Sequence, residues 1–245
     1  MKLLTLHRGR VSDIPATGTA DWWDKPWRTG FVKQPHSGPL QLGLTGLEGD
    51  EQADLINHGG MDKAVCVYPA EHYKHWRDAL ALPELPHGAF GENFTTLGWT
   101  EAEVCIGDVF QLGTAVVQIS QPRQPCWKLA RRWKIKDLSA QVERTGRTGW
   151  YFRVLTPGCV SAGETAALQH RPHPEWPLSL ANEIMHHRKQ DLPAAAALAA
   201  CAALSASWRS SLAARANARE EQPPTLRTEP PSISKPSPHP DSFNS

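Results

Sequence analysis

The 245-residue chain lacks charge of either sign in excess: 26 Lys and Arg stand against 25 Asp and Glu, a net of +1. Without a one-signed field, nothing in the composition argues for nucleic acid, an anionic membrane surface or strongly acidic substrates as partners. Cysteine is scarce and patternless. The five residues, at 66, 105, 126, 159 and 201, are odd in number and include no C-x-x-C pair, which argues against a disulfide framework and a zinc ribbon and favours a reducing, cytoplasmic setting. Iron–sulfur spacing is absent too. Long apolar runs are also missing: Met1–Arg8 is too short for a signal-peptide core, and the Ala-rich stretch 194–204 is far short of a membrane span. A soluble, unexported protein with no membrane partner is expected. The signatures G-x-x-x-x-G-K-[ST], G-x-G-x-x-G and G-x-S-x-G do not occur, so P-loop kinases, Rossmann dehydrogenases and α/β-hydrolases lack support.

What is present is tryptophan, 10 residues against 3 tyrosines, and 21 prolines. The first two thirds read as short apolar alternations cut by Gly, Pro and Asp, the pattern of strands and turns in a barrel or curled sheet. Thr114–Ser120 and Gly149–Leu155 are candidate core strands. A helix opening with Pro69 at its first turn carries Tyr73, Trp76 and Leu80 on one face, and a second starts just after Pro125. From about Pro172 the character changes to helix formers behind Ser179, Asp191 and Ser205 as N-caps, which predicts a bundle of three short helices. The expected organisation is a mainly β domain over 1–171, a three-helix module over 172–217 and a disordered Pro/Ser-rich tail over 218–245.

Cys126 has the most pointed chemical setting. It lies in Gln121-Pro122-Arg123-Gln124-Pro125-Cys126-Trp127-Lys128, beyond an apolar strand and at a helix start. The helix terminus, Arg123 and Lys128 favour the thiolate, the form that binds metal or attacks. A small buried hydrophobe is the plainer reading of such a residue. The other four cysteines fall in apolar or Ala-rich strings and read as core. In Asn57-His58-Gly59-Gly60-Met61-Asp62-Lys63, paired glycines let backbone approach a ligand with His58, Asp62 and Lys63 pointing at it, although a tight turn with an Asp cap accounts for the same letters. Gly91-Glu92-Asn93 and Thr145-Gly146-Arg147-Thr148-Gly149-Trp150 leave the same choice: Gly146 can end a helix, and Arg147 can hold a phosphate. His72 and His75, one helical turn apart beside Glu71, are a weak zinc signal without a third ligand, and the adjacent His186 and His187 are weaker still.

Taken in order, these segments resemble the MOSC domain proteins, named for the C-terminal domain of molybdenum cofactor sulfurase, in their 6-N-hydroxylaminopurine-resistance branch. The resemblance runs through Thr29–Lys33, Gly46–Asp54, His58–Gly60, Tyr68–Tyr73, Ala89–Asn93, Ile106–Asp108, Gln121–Leu129, Thr145–Trp150 and Pro157–Gly158. Leu204–Arg209 resembles the branch's appended three-helix module, so the likeness extends over about residues 1 to 217. Two departures stand out. Met61-Asp62-Lys63 replaces the more usual Pro-Asp-Arg, exchanging a forked guanidinium for a point charge. An insertion-like Asp21–Trp27 adds three tryptophans, for which packing is the expected role.

The resemblance implies a MOSC-type β-barrel with a few helices, followed by the three-helix bundle. It implies the molybdenum cofactor, a pterin dithiolene bearing molybdenum and a phosphate, with Cys126 as the protein's thiolate ligand to the metal; pyridoxal phosphate is not needed. By residue type, Arg123, Lys128, Arg147 and Lys63 would hold the cofactor, with Asn93 and the His58-Gly59-Gly60 turn toward the substrate. The implied reaction reduces N-hydroxylated purines, hydroxylamines or amidoximes to amines, with His58 as proton shuttle and Asp62 or Glu92 as its orienting partner. Electrons would come from an external flavin reductase or ferredoxin-like protein. The competing expectation is a cofactor or sulfur carrier that uses the same cysteine without turnover. Either form would be a monomer or homodimer.

Overall fold

The computed structural model describes residues 1–18 and 21–217. The strands are β1 (Lys2–Arg8), β2 (Ser12–Ile14), β3 (Trp27–Thr29), β4 (Gln34–His36), β5 (Leu40–Gly43), β6 (Gly46–Leu47) and β7 (Val65–Pro69). They continue with β8 (Phe94–Leu97), β9 (Val109–Leu112), β10 (Ala115–Pro122), β11 (Trp150–Thr156), β12 (Gly158–Val160) and β13 (Ala167–His170). The helices are α1 (Leu55–His58), α2 (Glu71–Ala79), α3 (Trp127–Trp133), α4 (Leu138–Thr145), α5 (Leu178–Asn182), α6 (Leu192–Ala199) and α7 (Ala206–Ala216).

Eight strands form one curled sheet in the order β13-β9-β10-β11-β7-β8-β1-β4, a half-barrel that agrees with the mainly β, barrel-type fold expected. Its ends are drawn together by the segment ahead of β13: Leu3 N–H donates to Glu164 O at 2.9 Å and Ala166 N–H to Met1 O at 2.8 Å. Among the described residues only β7 and β8 pair in parallel, with α2 in the connection between them. That placement explains why β7 is an unbroken buried run: a strand covered on both faces needs no polar alternation.

One apolar core fills the curl and continues into the C-terminal helices, where Trp208, Leu198 and Leu212 are fully buried against the sheet's Ile119 and Trp150 layer. A second lies under α2, α3 and α4, built from Tyr68, Tyr73, Trp76, Phe90 and Leu129. The α2 face is as expected at Tyr73 and Trp76, but the helix begins at Glu71. Pro69 instead ends β7, because its neighbour Ala70 donates its N–H to Thr96 O of β8 at 2.7 Å and holds the chain in the sheet.

The three-helix module is present with two of its three expected caps: Asp191 accepts from Ala194 N–H at 3.0 Å and Ser205 from Trp208 N–H at 3.3 Å. The first helix differs. It starts after Pro177, not at a Ser179 cap, and passes at Glu183–His187 into a π-helical turn. The Arg215 guanidinium donates to Ile184 O and Met185 O at 2.8 and 2.9 Å, supplying partners for carbonyls that a wider turn leaves open. Among the described residues no helix is long and apolar enough to cross a membrane. The expected tail over 218–245 lies outside the described residues.

Candidate active site

The cavity around Cys126 is built where β10 ends beside β11 and β7. In the sheet register Tyr151 stands opposite both Cys66 of β7 and Gln121 of β10, and side chains directly opposite share a face. Two chambers meet there. The inner one, about 60 Å³, has Lys33, Cys66, Asn93, Arg123 and Lys128 in its wall. The outer one, about 380 Å³, adds Asn57, Gln121, Pro125 and Trp127. His58, Lys63, Gln124, Cys126 and Tyr151 line both, so the thiol lies at the junction.

Cys126 is extended, with φ −123° and ψ 166°, and leads into α3, while Ser139 Oγ donates to its carbonyl at 2.6 Å and pins the backbone. Burial alone would raise its pKa. A hydrogen bond with His58 and the charges of His58, Lys128 and Arg123 outweigh burial and bring it down to about 7. The thiolate is therefore favoured by the His58, Lys128 and Arg123 side chains. Alkylation of Cys126 by iodoacetamide in metal-free protein should rise with pH through a midpoint near 7, the thiol below it being unreactive and the thiolate above it reactive. His58→Ala should move that midpoint upward; a mass-spectrometric profile unchanged by the substitution would remove His58 from this role.

His58 Nδ1 lies 3.3 Å from Asp54 Oδ2 and 3.4 Å from Lys128 Nζ. Asp54 also caps α1 by accepting from Asn57 N–H at 3.0 Å. Although burial opposes it, the Asn57 hydrogen bonds and the nearby His58 and Lys128 lower the Asp54 pKa. Asp54, unflagged in the sequence, is thus the carboxylate that orients His58.

Of the other residues singled out in the sequence, Arg123, Lys128, Lys63 and Asn93 do converge on Cys126. Lys63 Nζ donates to Asn57 O at 2.6 Å, and burial lowers its pKa against the pull of Asp54 and Asp62. Asn93 has its amide committed to the fold: Oδ1 accepts from Cys66 N–H at 3.1 Å and Nδ2 donates to His7 O at 3.2 Å. Gly59 and Gly60 are not in the cavity wall. Gly60, at φ +91°, makes the turn that brings His58 and Lys63 to the same opening, a conformation that disfavours a side chain.

Three expectations are corrected. Asp62 does not face His58; its carboxylate pairs with Arg153 at 2.7 Å and accepts from Ala206 N–H at 3.0 Å, because α7 is docked there. Glu92 is fully buried outside the cavity and accepts from Tyr73 Oη, Gly88 N–H, Phe90 N–H and Thr95 Oγ1. Arg147 lines a separate cleft with His72, His75 and Arg144. Gly146, at φ +68°, ends α4, and a Cβ at Gly149 would lie 2.2 Å from Val67 O, so the glycines of that motif serve the backbone. In the same cleft His72 is spent on Glu101, 2.7 Å away.

Reading each non-126 cysteine as core missed Cys66. Its residue string is apolar, but its β7 position puts the thiol in the inner chamber, hydrogen-bonded with Tyr151, and burial raises the pKa values of both. The alternation of Tyr151 with Trp150 was the available signal. The three added tryptophans do pack: Trp22 and Trp27 lie 6.4 and 5.7 Å from the Trp127 ring, bracing the residue that walls the outer chamber.

The donor set suits a soft, anionic, metal-bearing group. Arg123 is 5% exposed, and among the described residues no carboxylate lies within ion-pair distance of it. A buried, unpaired guanidinium is costly unless an anion completes it. Lys33 is already neutralised by Asp50, whereas among the described residues Lys128 has only His58 as a hydrogen-bond partner, at 3.4 Å. Among the described residues no group of three or more His, Cys, Asp or Glu could hold a bare metal ion. A metal at Cys126 therefore needs ligands brought with it.

Comparison with known proteins places the chain in a family. Residues 54–167 match the MOSC domain, and residues 176–216 match the YiiM-like, 3-alpha helix domain. The chain is 50% identical over 209 residues to YflK of Bacillus subtilis, covering 85% of this chain and 91% of that protein. A protein of Gibberella moniliformis named Reductase is 39% identical over 165 residues, which are 66% of this chain but 29% of that protein. The crystal structure of YiiM from Geobacillus stearothermophilus superposes with a TM-score of 0.73 at 35% identity, covering 88% of this chain and 98% of that one. The chain belongs to the MOSC domain family, in the form that carries the YiiM-like three-helix domain.

Proposed function

We propose that this protein is an oxidoreductase that holds the molybdenum cofactor at Cys126 and reduces N-hydroxylated compounds to amines, in the detoxifying manner of the hydroxylaminopurine-resistance branch. The observation that carries this reading is the Cys126 thiol at the junction of the two chambers, set among His58, Lys128 and a buried Arg123 that no carboxylate pairs among the described residues. Bound, the cofactor supplies the two-electron centre for R–NHOH + 2 e⁻ + 2 H⁺ → R–NH₂ + H₂O. Cys126 would ligate the metal; Arg123, Lys128 and Lys63 would hold the phosphate and the electron-rich sulfur and oxygen atoms. The inner chamber admits only a compact group, so a heterocycle belongs in the outer one. His58, steadied by Asp54, holds the thiolate and is the nearest imidazole through which protons can enter. Electrons come from a separate flavin- or iron–sulfur-bearing donor, and the five free cysteines suit the cytoplasm. A redox role in general is in keeping with the likeness to 29% of a protein named Reductase.

The test is metal and pterin content after purification from a host that makes the cofactor, followed by assay with 6-N-hydroxylaminopurine and a chemically reduced viologen. Near-stoichiometric molybdenum with turnover is expected. Cofactor without turnover would favour a carrier, and a folded protein holding neither metal nor pterin would overturn the reading.

A further inference from the structure

The three-helix module is fastened to the wall of the cavity by a run of hydrogen bonds at the start of α7. Ser205 N–H donates to Ser120 O at 2.9 Å, Ala206 N–H to Asp62 Oδ2 at 3.0 Å, and Ser207 Oγ to Gln121 Oε1 at 3.2 Å. Asp62 is itself tied to Arg153 of β11, two residues beyond Tyr151, and its carbonyl accepts from Ser120 Oγ at 2.5 Å. The clasp therefore joins α7, β10, β11 and the turn that carries Lys63.

Gln121 is the member of this clasp that reaches the ligand space: it is 1% exposed and lines the outer chamber beside Gln124 and Trp127. Its carboxamide is oriented by two contacts, of which the Ser207 hydroxyl is shared with Ser205 Oγ, 3.3 Å away. Nε2 donates to Pro122 O at 3.1 Å, a group that can only accept, and Oε1 receives the Ser207 hydroxyl. One N–H of Gln121 has no partner among the described residues.

We propose that Ser207 is a positioning residue for ligand recognition, holding the Gln121 amide so that it offers an N–H donor to a fused nitrogen heterocycle in the outer chamber, which makes the three-helix module part of the specificity of the site. This rests on the functional reading above and names the contact that reading leaves open. The heterocycle is either the purine of the substrate or the pterin of the cofactor. Both present ring nitrogens and oxygens that accept hydrogen bonds, and Trp127 offers either one a flat apolar wall.

The first test needs no cofactor. Binding of 6-N-hydroxylaminopurine and of pterin itself to cofactor-free protein, followed by quenching of tryptophan fluorescence, should weaken about five-fold for at least one of them in Ser207→Ala, the loss expected for one neutral hydrogen bond, and recover in Ser207→Thr, which keeps the hydroxyl. Equal affinities in wild type and Ser207→Ala overturn the proposal, as does a Ser207→Thr variant no better than Ser207→Ala. In protein loaded with cofactor, a purine contact raises KM for 6-N-hydroxylaminopurine, leaves KM for hydroxylamine (which has no ring) unchanged, and preserves kcat and pterin content. A pterin contact lowers retained pterin and molybdenum and affects both substrates alike. Loss of thermal stability in Ser207→Ala without either pattern assigns the residue a purely structural role and also overturns the proposal. Failure of the broader reading is seen separately, as wild-type protein without molybdenum.

Discussion

Cys126→Ala should yield folded protein without molybdenum and with reduction of 6-N-hydroxylaminopurine down by more than about 100-fold. Removing a group that merely supports a metal ligand commonly costs about 10- to 100-fold in affinity or activity, and Cys126 is the thiolate at the junction of the two chambers. The side chain is small and 9% exposed, so its loss leaves a modest gap and little reason for misfolding. Cys126→Ser sharpens the result. A hydroxyl in the same place would not ionise at neutral pH, even with His58, Lys128 and Arg123 around it, so serine should behave as alanine does. Metal analysis per chain, alongside circular dichroism, checks both variants. Molybdenum retained in Cys126→Ala would move the ligand elsewhere, with Cys66 the first place to look.

The largest effect on stability should come from Glu92→Leu. The Glu92 carboxylate gathers four donors, among them Gly88 N–H at 2.7 Å, Phe90 N–H at 3.1 Å and Thr95 Oγ1 at 2.9 Å, while Tyr73 Oη is bonded to it as well. Leucine fills the space and satisfies none of them. With each unmet buried donor costing about 1–3 kcal/mol and partial relaxation of the 86–91 turn, the loss should be about 4 kcal/mol, visible as a lower urea midpoint. Glu92→Gln should lose roughly half as much, since its amide keeps one acceptor oxygen and sets an N–H against the remaining donors. The molybdenum content of the folded fraction should stay near that of wild type, in contrast to Cys126→Ala. A Glu92→Leu variant of normal stability with impaired turnover would return Glu92 to the catalytic role read from its sequence.

These two residues show what the sequence could and could not display. The neighbourhood of Cys126 is written locally, because Arg123 and Lys128 flank it within a few positions and the prolines fix the approach. Asp191 and Ser205 are equally local, each capping its own helix. The roles of Glu92, Asp62 and Arg147 depend on what distant segments bring to them. Glu92 is enclosed by a turn and by α2, Asp62 meets a helix start 144 positions away, and Arg147 lines the cleft of His72 and His75 instead. Motif membership alone would put all three in the pocket. Cys66 and Tyr151 fail in the opposite direction: both sit in apolar strings, and only the pairing of β7 with β11 shows that one face of those strings opens onto the cavity. The curl of a mainly β barrel-type sheet was legible from its short alternating strands, but the joining of Leu3 to Glu164 and of Met1 to Ala166 was not, since no local pattern encodes a pairing across about 160 residues.

The hydrogen bonds that join the first residues to residues 163–166 also set a schedule for synthesis. Leu3 cannot meet Glu164 until about 160 further residues have left the ribosome, roughly 10–30 s at typical elongation rates. During that interval β4 and β8 can already flank β1, but the Lys2–Leu3 end of the edge beyond β4 stays open, and the apolar face carrying Leu3 and Leu6 has no complete layer to cover it. The nascent chain is thus most exposed to aggregation before its final strand appears, and slowing translation across the 140–166 region should lengthen its dependence on chaperones.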